Sequence, residues 1–468
     1  MSTRLKADYL VVGTGAVGMA FVDSLIADSD AHVVMVDRRH APGGHWHDAY
    51  PFVRLHQPSA YYGVNSFPLG ADRIDSTGTN AGLQERATAP EICGYYAQVM
   101  DHHLMPSGRV QHFPLCEYLG ENRFASRLTG TTYEVDVGKA VVDANYLHPA
   151  VPATTPFPFE IEAGVRCIPI GELTRVREAP SSYVIVGAGK TAMDACLWLL
   201  QNAVPSERIR WIKPRESWLV NRDFVQSGEM VGSVIEGLSL QMQAAVEAES
   251  LPDLFRRLEA GKLLLRVDTD VEPTMYKAAT VDKNELAQMR SIRDVVRLGR
   301  VRRIGRERIV LDGGSVPTDA NQLHVHCAAP GLNPAPAVPI FAERRITLQP
   351  IRSGLLPFNA ALAGYIEATR AGDLAEKNRL CPVNPLPDKP LDWLRGTLIQ
   401  ARADYQWTQQ PDIAAWLERS RLNISRGMLK RTGDARVREG LQRYLTHVTA
   451  GLKKLNAMVA AAVSPTSA

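Results

Sequence analysis

Tyr9-Leu10-Val11-Val12-Gly13-Thr14-Gly15-Ala16-Val17-Gly18 and Tyr183-Val184-Ile185-Val186-Gly187-Ala188-Gly189-Lys190-Thr191-Ala192 decide how this chain folds. Each is a short apolar run that ends in glycine and opens a stretch with helical spacing. A continuous apolar run suits a strand buried on both faces of a parallel sheet. The glycines suit a tight turn whose backbone N–H groups approach a pyrophosphate, at a helix end that carries partial positive charge. One such turn is a weak signal. Two of them, about one domain apart, predict that two dinucleotides are held in one protein so that hydride passes between them.

Working outward from the first turn, His32-Val33-Val34-Met35-Val36-Asp37 reads as a second strand ending in an acid, with Arg38 next. Asp37 stands close to the ~20-residue offset at which a carboxylate meets ribose hydroxyls. Beside the second turn, Ala192 replaces the third glycine and still allows close packing of helix on strand. The strand that follows, Ile209-Arg210-Trp211-Ile212, leads to Lys213 and Arg215 instead of an acid. A cation there predicts a 2′-phosphate, hence NADPH over NADH. A pair of exposed basic residues is the alternative. Gly189-Lys190-Thr191 imitates a P-loop, but that motif needs glycine where Val184 stands, so an ATPase is excluded.

The chain has 468 residues, 45% hydrophobic and 22% charged, with net charge +3. These are globular values that leave room for two or three domains and give no reason to expect nucleic acid as a partner. Arginines 300, 302, 303, 306 and 308 cluster, but Glu307 and Asp312 lie among them, as on a solvated face. The six cysteines form no CxxC pair, which argues against a dithiol reductase and a local zinc knuckle. The first strand begins almost at once, without a secretory signal, and no apolar run reaches membrane-spanning length, so the cytoplasm is the expected location.

The expected fold class is α/β, with two Rossmann-like dinucleotide-binding domains, a helical insertion and a helical C-terminal region. Residues 1–150 form the first part of one domain. The second spans 151–332 after the proline-rich linker Pro149 to Pro158, with a mostly helical insertion near 235–298. Residues 333–390 return to the first domain, and 391–468 are helical with breaks near Pro411 and Gly433, ending in a frayed Ser464–Ala468. Either helical stretch is a candidate lid or homo-oligomer interface.

Gly43-Gly44-His45-Trp46, followed by Tyr50-Pro51, resembles the Gly-Gly-x-Trp segment of flavin-containing and Baeyer–Villiger monooxygenases, where it likewise follows the ribose-binding acid. Gly63-Val64-Asn65-Ser66 looks like the family segment that brings an asparagine to the flavin reaction centre. The Phe-x-Gly-x-x-x-His signature of that family is absent. The Ala-Thr-Gly hinge positions read Asp143-Ala144-Asn145 and Ala328-Ala329-Pro330-Gly331. The resemblance implies FAD and NADPH as cofactors. Gly13, Gly15, Ala16, Gly18, Asp37 and Arg38 would bind the ADP part of FAD, while Gly43, Gly44, His45 and Trp46 would line the flavin. Gly187, Gly189, Lys190, Thr191, Lys213 and Arg215 would hold NADPH, and Asn65 would be the catalytic residue. Phe358-Asn359-Ala360 resembles the last FAD-contacting segment, with a helix starting near Pro357 whose N-terminus faces the flavin; an ordinary amphipathic helix is the competing view.

The implied activity is an NADPH-dependent monooxygenase that oxygenates a small organic substrate with molecular oxygen through a flavin hydroperoxide. A flavin dehydrogenase or oxidase without oxygen insertion, and a non-catalytic dinucleotide-binding redox sensor, stay open beside it. His45, His47 and His56 are possible metal ligands, but their place in the flavin-lining segment favours flavin contact or structural hydrogen bonding, so no metal is expected.

Overall fold

The computed structural model describes residues 2–329, 331–332 and 335–463. Pro330 of the second hinge segment and the 464–468 end lie outside the described residues. The first apolar run is the C-terminal half of β1 (Ser2–Val12), which turns into α1 (Ala16–Ala27) and then β2 (Val33–Val36). With β3 (Val110–Phe113) and β4 (Thr132–Asp143) these strands form a parallel core in the order β4, β1, β2, β3. Leu10 and Val11 are sealed on both faces, as their unbroken apolar pattern requires. Val12 pairs with both Val36 and Asp143, so the strands end level and share one C-terminal edge.

The second apolar run is β5 (Tyr183–Val186), leading into α2 (Lys190–Gln201) and β6 (Ile209–Ile212). Its sheet runs in the order Asp294–Val296, β6, β5, β7 (Leu323–His326), Cys167–Pro169, with every neighbouring pair parallel. The stretch expected to be mostly helical carries helices Gly232–Glu247 and Leu251–Ala260 and α3 (Lys283–Arg290). Between them strand Met275–Val281 pairs in parallel with Ser217–Asn221. Asp282 caps α3 and Glu285 reaches back to the Asp282 N–H, which fixes where α3 starts.

The chain then returns to the first sheet through β8 (Arg345–Thr347), which extends it beyond β4, and enters α4 (Leu356–Thr369) with Pro357 in its first turn. The Tyr9 hydroxyl donates to Glu367 Oε1 at 2.6 Å, placing the end of α4 beside Tyr9, about 10 Å short of the C-terminal edge of β1. The start of α4 therefore lies at the same sheet edge as the start of α1. Gly364 permits this contact, because a Cβ there would collide with the Phe21 carbonyl of α1. The C-terminal helices Pro390–Thr408, Pro411–Arg419 and Ala435–Val463 break where the sequence predicts, and the last packs on Gly232–Glu247 through Gly440 and Gly451. Among the described residues, no helix is long and apolar enough to cross a membrane.

Candidate functional site

The first glycine turn sits at the C-terminal edge of β1. Gly13 has φ +108°, and a side chain there would meet the Asn145 carboxamide at 2.8 Å. A Cβ on Gly18 would collide with the Gly13 carbonyl, so α1 starts hard against the strand. Gly15 is the N-cap of α1 and offers no side chain to its amides, and the first turn, which begins at Ala16, carries no acid. Four N–H groups at that end lack intrahelical partners. This is a cradle that any side chain would fill, suited to a pyrophosphate. Asp37 is buried at the end of β2. Its Oδ2 accepts from the Thr14 N–H at 2.6 Å and the Thr14 hydroxyl at 3.0 Å, and its Oδ1 accepts from the Arg39 N–H at 2.8 Å. Of about four lone-pair directions on a carboxylate, one on Oδ1 is left for a ribose hydroxyl. Arg38 points outward and is exposed.

Gly43 and Gly44 close over this turn. The Gly43 N–H donates to the Thr14 carbonyl at 3.0 Å, and a Cβ on Gly44 would stand 3.0 Å from the Gly15 Cα. Residues Gly44–Asp48 form a 3-10 turn, so His45 and His47 do not share an extended face. His47 Nε2 bonds the Pro42 carbonyl at 2.8 Å, while His45 stacks on Trp46. Burial, helped by the Arg39 charge and opposed by Asp48, lowers the His45 pKa to about 4. Among the described residues, no group of three His, Cys, Asp or Glu is placed to hold a metal. Trp46 donates to the Tyr62 hydroxyl at 2.8 Å and packs against the cores of both sheets.

From Trp46 the chain crosses to the second unit. Tyr50 donates to Asp194 Oδ2 on α2 at 2.5 Å, and Phe52 stacks on Trp198 of the same helix at 4.8 Å. Burial, then the Asp194 charge, raises the Tyr50 phenol well above its ordinary value, so it stays protonated and donating. The segment then returns through His56 to Tyr61 and Tyr62 in the first core. Residues 43–62 are thus a bridge that starts on the first glycine turn, reaches α2 beside the second turn at Tyr50 and Phe52, and ends back in the first core.

At the second turn Gly187 has φ +147°, and a Cβ there would stand 2.7 Å from the Cys327 carbonyl. Gly189 is exposed and caps α2 without a side-chain hydrogen bond. Ala192 is fully buried against the sheet. Lys190 is paired with Asp194 one turn along, and Thr191 lies beside the Tyr50 phenol. Cys327 is buried, which raises its thiol well above the ordinary value and leaves it inert. Lys213 is buried. It pairs with Glu216 Oε2 at 2.5 Å and lies 4.4 Å from the centre of the Trp211 ring. Arg215 is 40% exposed and pairs with Asp388 at 3.1 Å.

The structure does not bring Asn65 to the turns. Its N–H donates to Asp23 at 2.9 Å, and its amide is held by Ser24 at 3.2 Å and Ser420 at 2.8 Å. Asp23 and Ser24 lie about 10 Å along α1 from its N-terminus. Asn359 is buried in α4, where its amide clamps both backbone polar groups of Arg352, at 2.8 and 2.9 Å.

A buried ionic network that the sequence pattern did not reveal lies at the foot of the bridge. Arg222 is sealed from solvent. It donates to Asp282 at 2.5 Å, Glu285 at 2.7 Å and the His56 carbonyl at 3.0 Å, while Arg86 reaches Glu285 at 3.0 Å. Burial alone would raise the Glu285 carboxyl, but Lys190, Arg222 and Arg86 overcome that and hold it well below the usual range. The Asp282-x-x-Glu285 capping pattern was the one readable sign of it.

No family model matches the chain. The uncharacterized protein Rv2000 of Mycobacterium tuberculosis is 47% identical over 426 residues, covering 91% of this chain and 79% of its own. The chain belongs to this mycobacterial protein family. Solved structures similar to this family member include the flavin-containing monooxygenase from Stenotrophomonas maltophilia, with TM-score 0.41 and 16% identity over 88% of this chain and 99% of that one. Cyclohexanone monooxygenase from Rhodococcus sp. Phi1, bound to NADP+, gives TM-score 0.46 and 15% identity over 78% and 84%.

Proposed function

We propose that this protein is an FAD-dependent oxidoreductase that takes hydride from NADPH and transfers one oxygen atom from O2 to a small organic substrate. The observation that carries the reading is the pair of glycine cradles, each at the C-terminal edge of its own parallel sheet, joined by the 43–62 bridge. In open α/β sheets that edge is where ligands bind. FAD would lie on Gly13, Gly15, Ala16 and Gly18, with Asp37 on its ribose and Gly43, Gly44, His45 and Trp46 beyond the pyrophosphate. NADPH would lie on Gly187, Gly189, Lys190 and Thr191. When bound, the two cofactors supply hydride transfer and oxygen activation.

The chain's own residues bind, orient and exclude water. The uncapped starts of α1 and α2 offer amides to pyrophosphate oxygens. Trp46 and Tyr62 wall the space between the cores with rings instead of solvent. The start of α4 turns its positive end toward the same sheet edge, where it favours negative charge. Of the two predicted phosphate-binding cations, Arg215 is the one able to exchange a half-exposed carboxylate for a phosphate; Lys213 is locked to Glu216.

The test is the visible spectrum of the purified protein before and after NADPH under anaerobic conditions. Bleaching of a flavin spectrum supports two communicating sites, and oxygen consumption matched to oxygenated product supports a monooxygenase. Bleaching followed by peroxide release without product favours an oxidase. A protein that purifies without flavin and takes none up refutes the reading.

A further inference from the structure

His56 is a polar group of the bridge that the architecture leaves unexplained. Neither ring nitrogen has a hydrogen-bond partner among the described residues, although its own carbonyl accepts from Arg222 at 3.0 Å. The charged groups that face it are Lys190 from the start of α2, Arg222, Arg86, and Glu285 from α3. All four are buried, yet His56 itself keeps accessible surface. A side chain that stays accessible inside a ring of buried neighbours lines an internal recess, and Lys190 places that recess against the second glycine turn.

The side of the turn is set by the bridge. In a unit of this kind the adenosine half of a dinucleotide lies over the strand after the first helix, here β6 with Lys213 and Arg215 beyond it. Cys327 follows β7, on the opposite side of β5. Tyr50 lies close to Cys327 and bonds Asp194. The bridge thus meets the second unit on the side away from the adenosine half.

We propose that the His56 imidazole is the polar anchor for the nicotinamide carboxamide of the dinucleotide bound at the second glycine turn. This rests on the dinucleotide reading of that turn. A carboxamide presents one acceptor and two donors, and a neutral imidazole answers with one donor and one acceptor. Burial, then the positive charges of Lys190, Arg222 and Arg86, holds the ring neutral by pushing its pKa well below the ordinary histidine value. His56 therefore keeps both hydrogen-bonding roles at neutral pH. The accessible ring keeps hydrogen-bonding capacity that no protein group uses, and the nicotinamide end would complete it.

The test compares binding of NADP+ with binding of 2′-phospho-ADP-ribose, which lacks only the nicotinamide, by isothermal titration of the flavin-loaded protein. His56→Ala weakens NADP+ about tenfold and leaves 2′-phospho-ADP-ribose unchanged, and His56→Gln recovers most of the loss. Equal weakening of both ligands means His56 only shapes the fold, and unchanged NADP+ affinity means it touches nothing; either overturns the proposal. If wild-type protein binds neither ligand, the dinucleotide reading of the second turn fails first, and the anchor falls with it. Should His56→Ala not fold, His56→Gln carries the comparison, with affinity kept for both ligands as the expected result and loss of both as the refuting one.

Discussion

Replacing Arg222 by Met tests whether the junction between the two units is held by its ionic network. Methionine keeps most of the side-chain volume and removes the charge. The substitution strips donors from Asp282 at 2.5 Å, Glu285 at 2.7 Å, the His56 carbonyl at 3.0 Å, and Asn80 and the Thr280 carbonyl at 3.3 Å. Removing one partner of a buried pair costs about 3–5 kcal/mol, because the other charge stays buried and unpaired. Arg86 remains on Glu285 at 3.0 Å and offsets part of the loss, which places the expected cost near the lower end of that range. Unfolding entropy for a chain of 468 residues is about 1 kcal/mol/K. The midpoint of a thermal melt followed by circular dichroism therefore falls by about 3–4 °C. Arg302→Met is the control: its ion pair with Asp312 leaves Arg302 65% exposed, and pairs of that kind contribute about 0–1 kcal/mol. If Arg222→Met melts within 1 °C of the unmodified protein, the network does not hold the junction and the argument fails.

Gly15→Ala is expected to fold but lose bound flavin, because a methyl would stand at the pyrophosphate cradle and 3.4 Å from Gly44; flavin absorbance per mole of protein checks it, and full yellow colour refutes it. Arg215→Ala is expected to weaken NADPH several-fold with little change for NADH, measured as KM for each; equal effects contradict a phosphate role. His45 has its folded pKa depressed to about 4 against about 6.5 unfolded. Its neutral form therefore contributes stability above about pH 6.5, which is lost as pH falls toward 4. His45→Gln flattens the melting midpoint of the flavin-free protein across that window, and an unchanged slope refutes the assignment.

Both turns were legible because a glycine turn is a local demand: φ of +108° at Gly13 and +147° at Gly187 leave little choice of residue, and the apolar runs before them have few other places to go. The interruption at Pro411 was legible because proline suits the first turn of a helix and not its interior. The direction of Lys213 was not. It stands at the position that Asp37 occupies in the first unit, but Glu216 lies three residues on and draws it inward over Trp211. Nothing in the spacing distinguishes an outward cation from one claimed by its own loop. The setting of Asn65 was not legible either, since its amide is held by Ser420, 355 residues away, a contact no local pattern reports. The Arg86–Glu285 pair spans 199 residues and was illegible for that reason too.

These long-range contacts explain why the bridge matters more than either turn alone. The proposed hydride transfer would require reacting atoms held about 3–3.5 Å apart. Two cofactors on separate sheets meet that condition only if the sheets keep a fixed spacing at their C-terminal edges. The bridge is pinned at its start by Gly43–Thr14 and at its middle by Tyr50–Asp194. The Phe52–Trp198 stack adds to the second pin, and Arg222 ties the His56 carbonyl to the foot of α3. Any opening between the units has to break the Tyr50–Asp194 and Arg86–Glu285 bonds together, since both span the same junction. The second is charge-assisted and buried, so it resists opening more than the first. The units are therefore held most firmly at the foot of the bridge and least at Trp46, where contact with both cores is through a ring and one hydrogen bond to Tyr62.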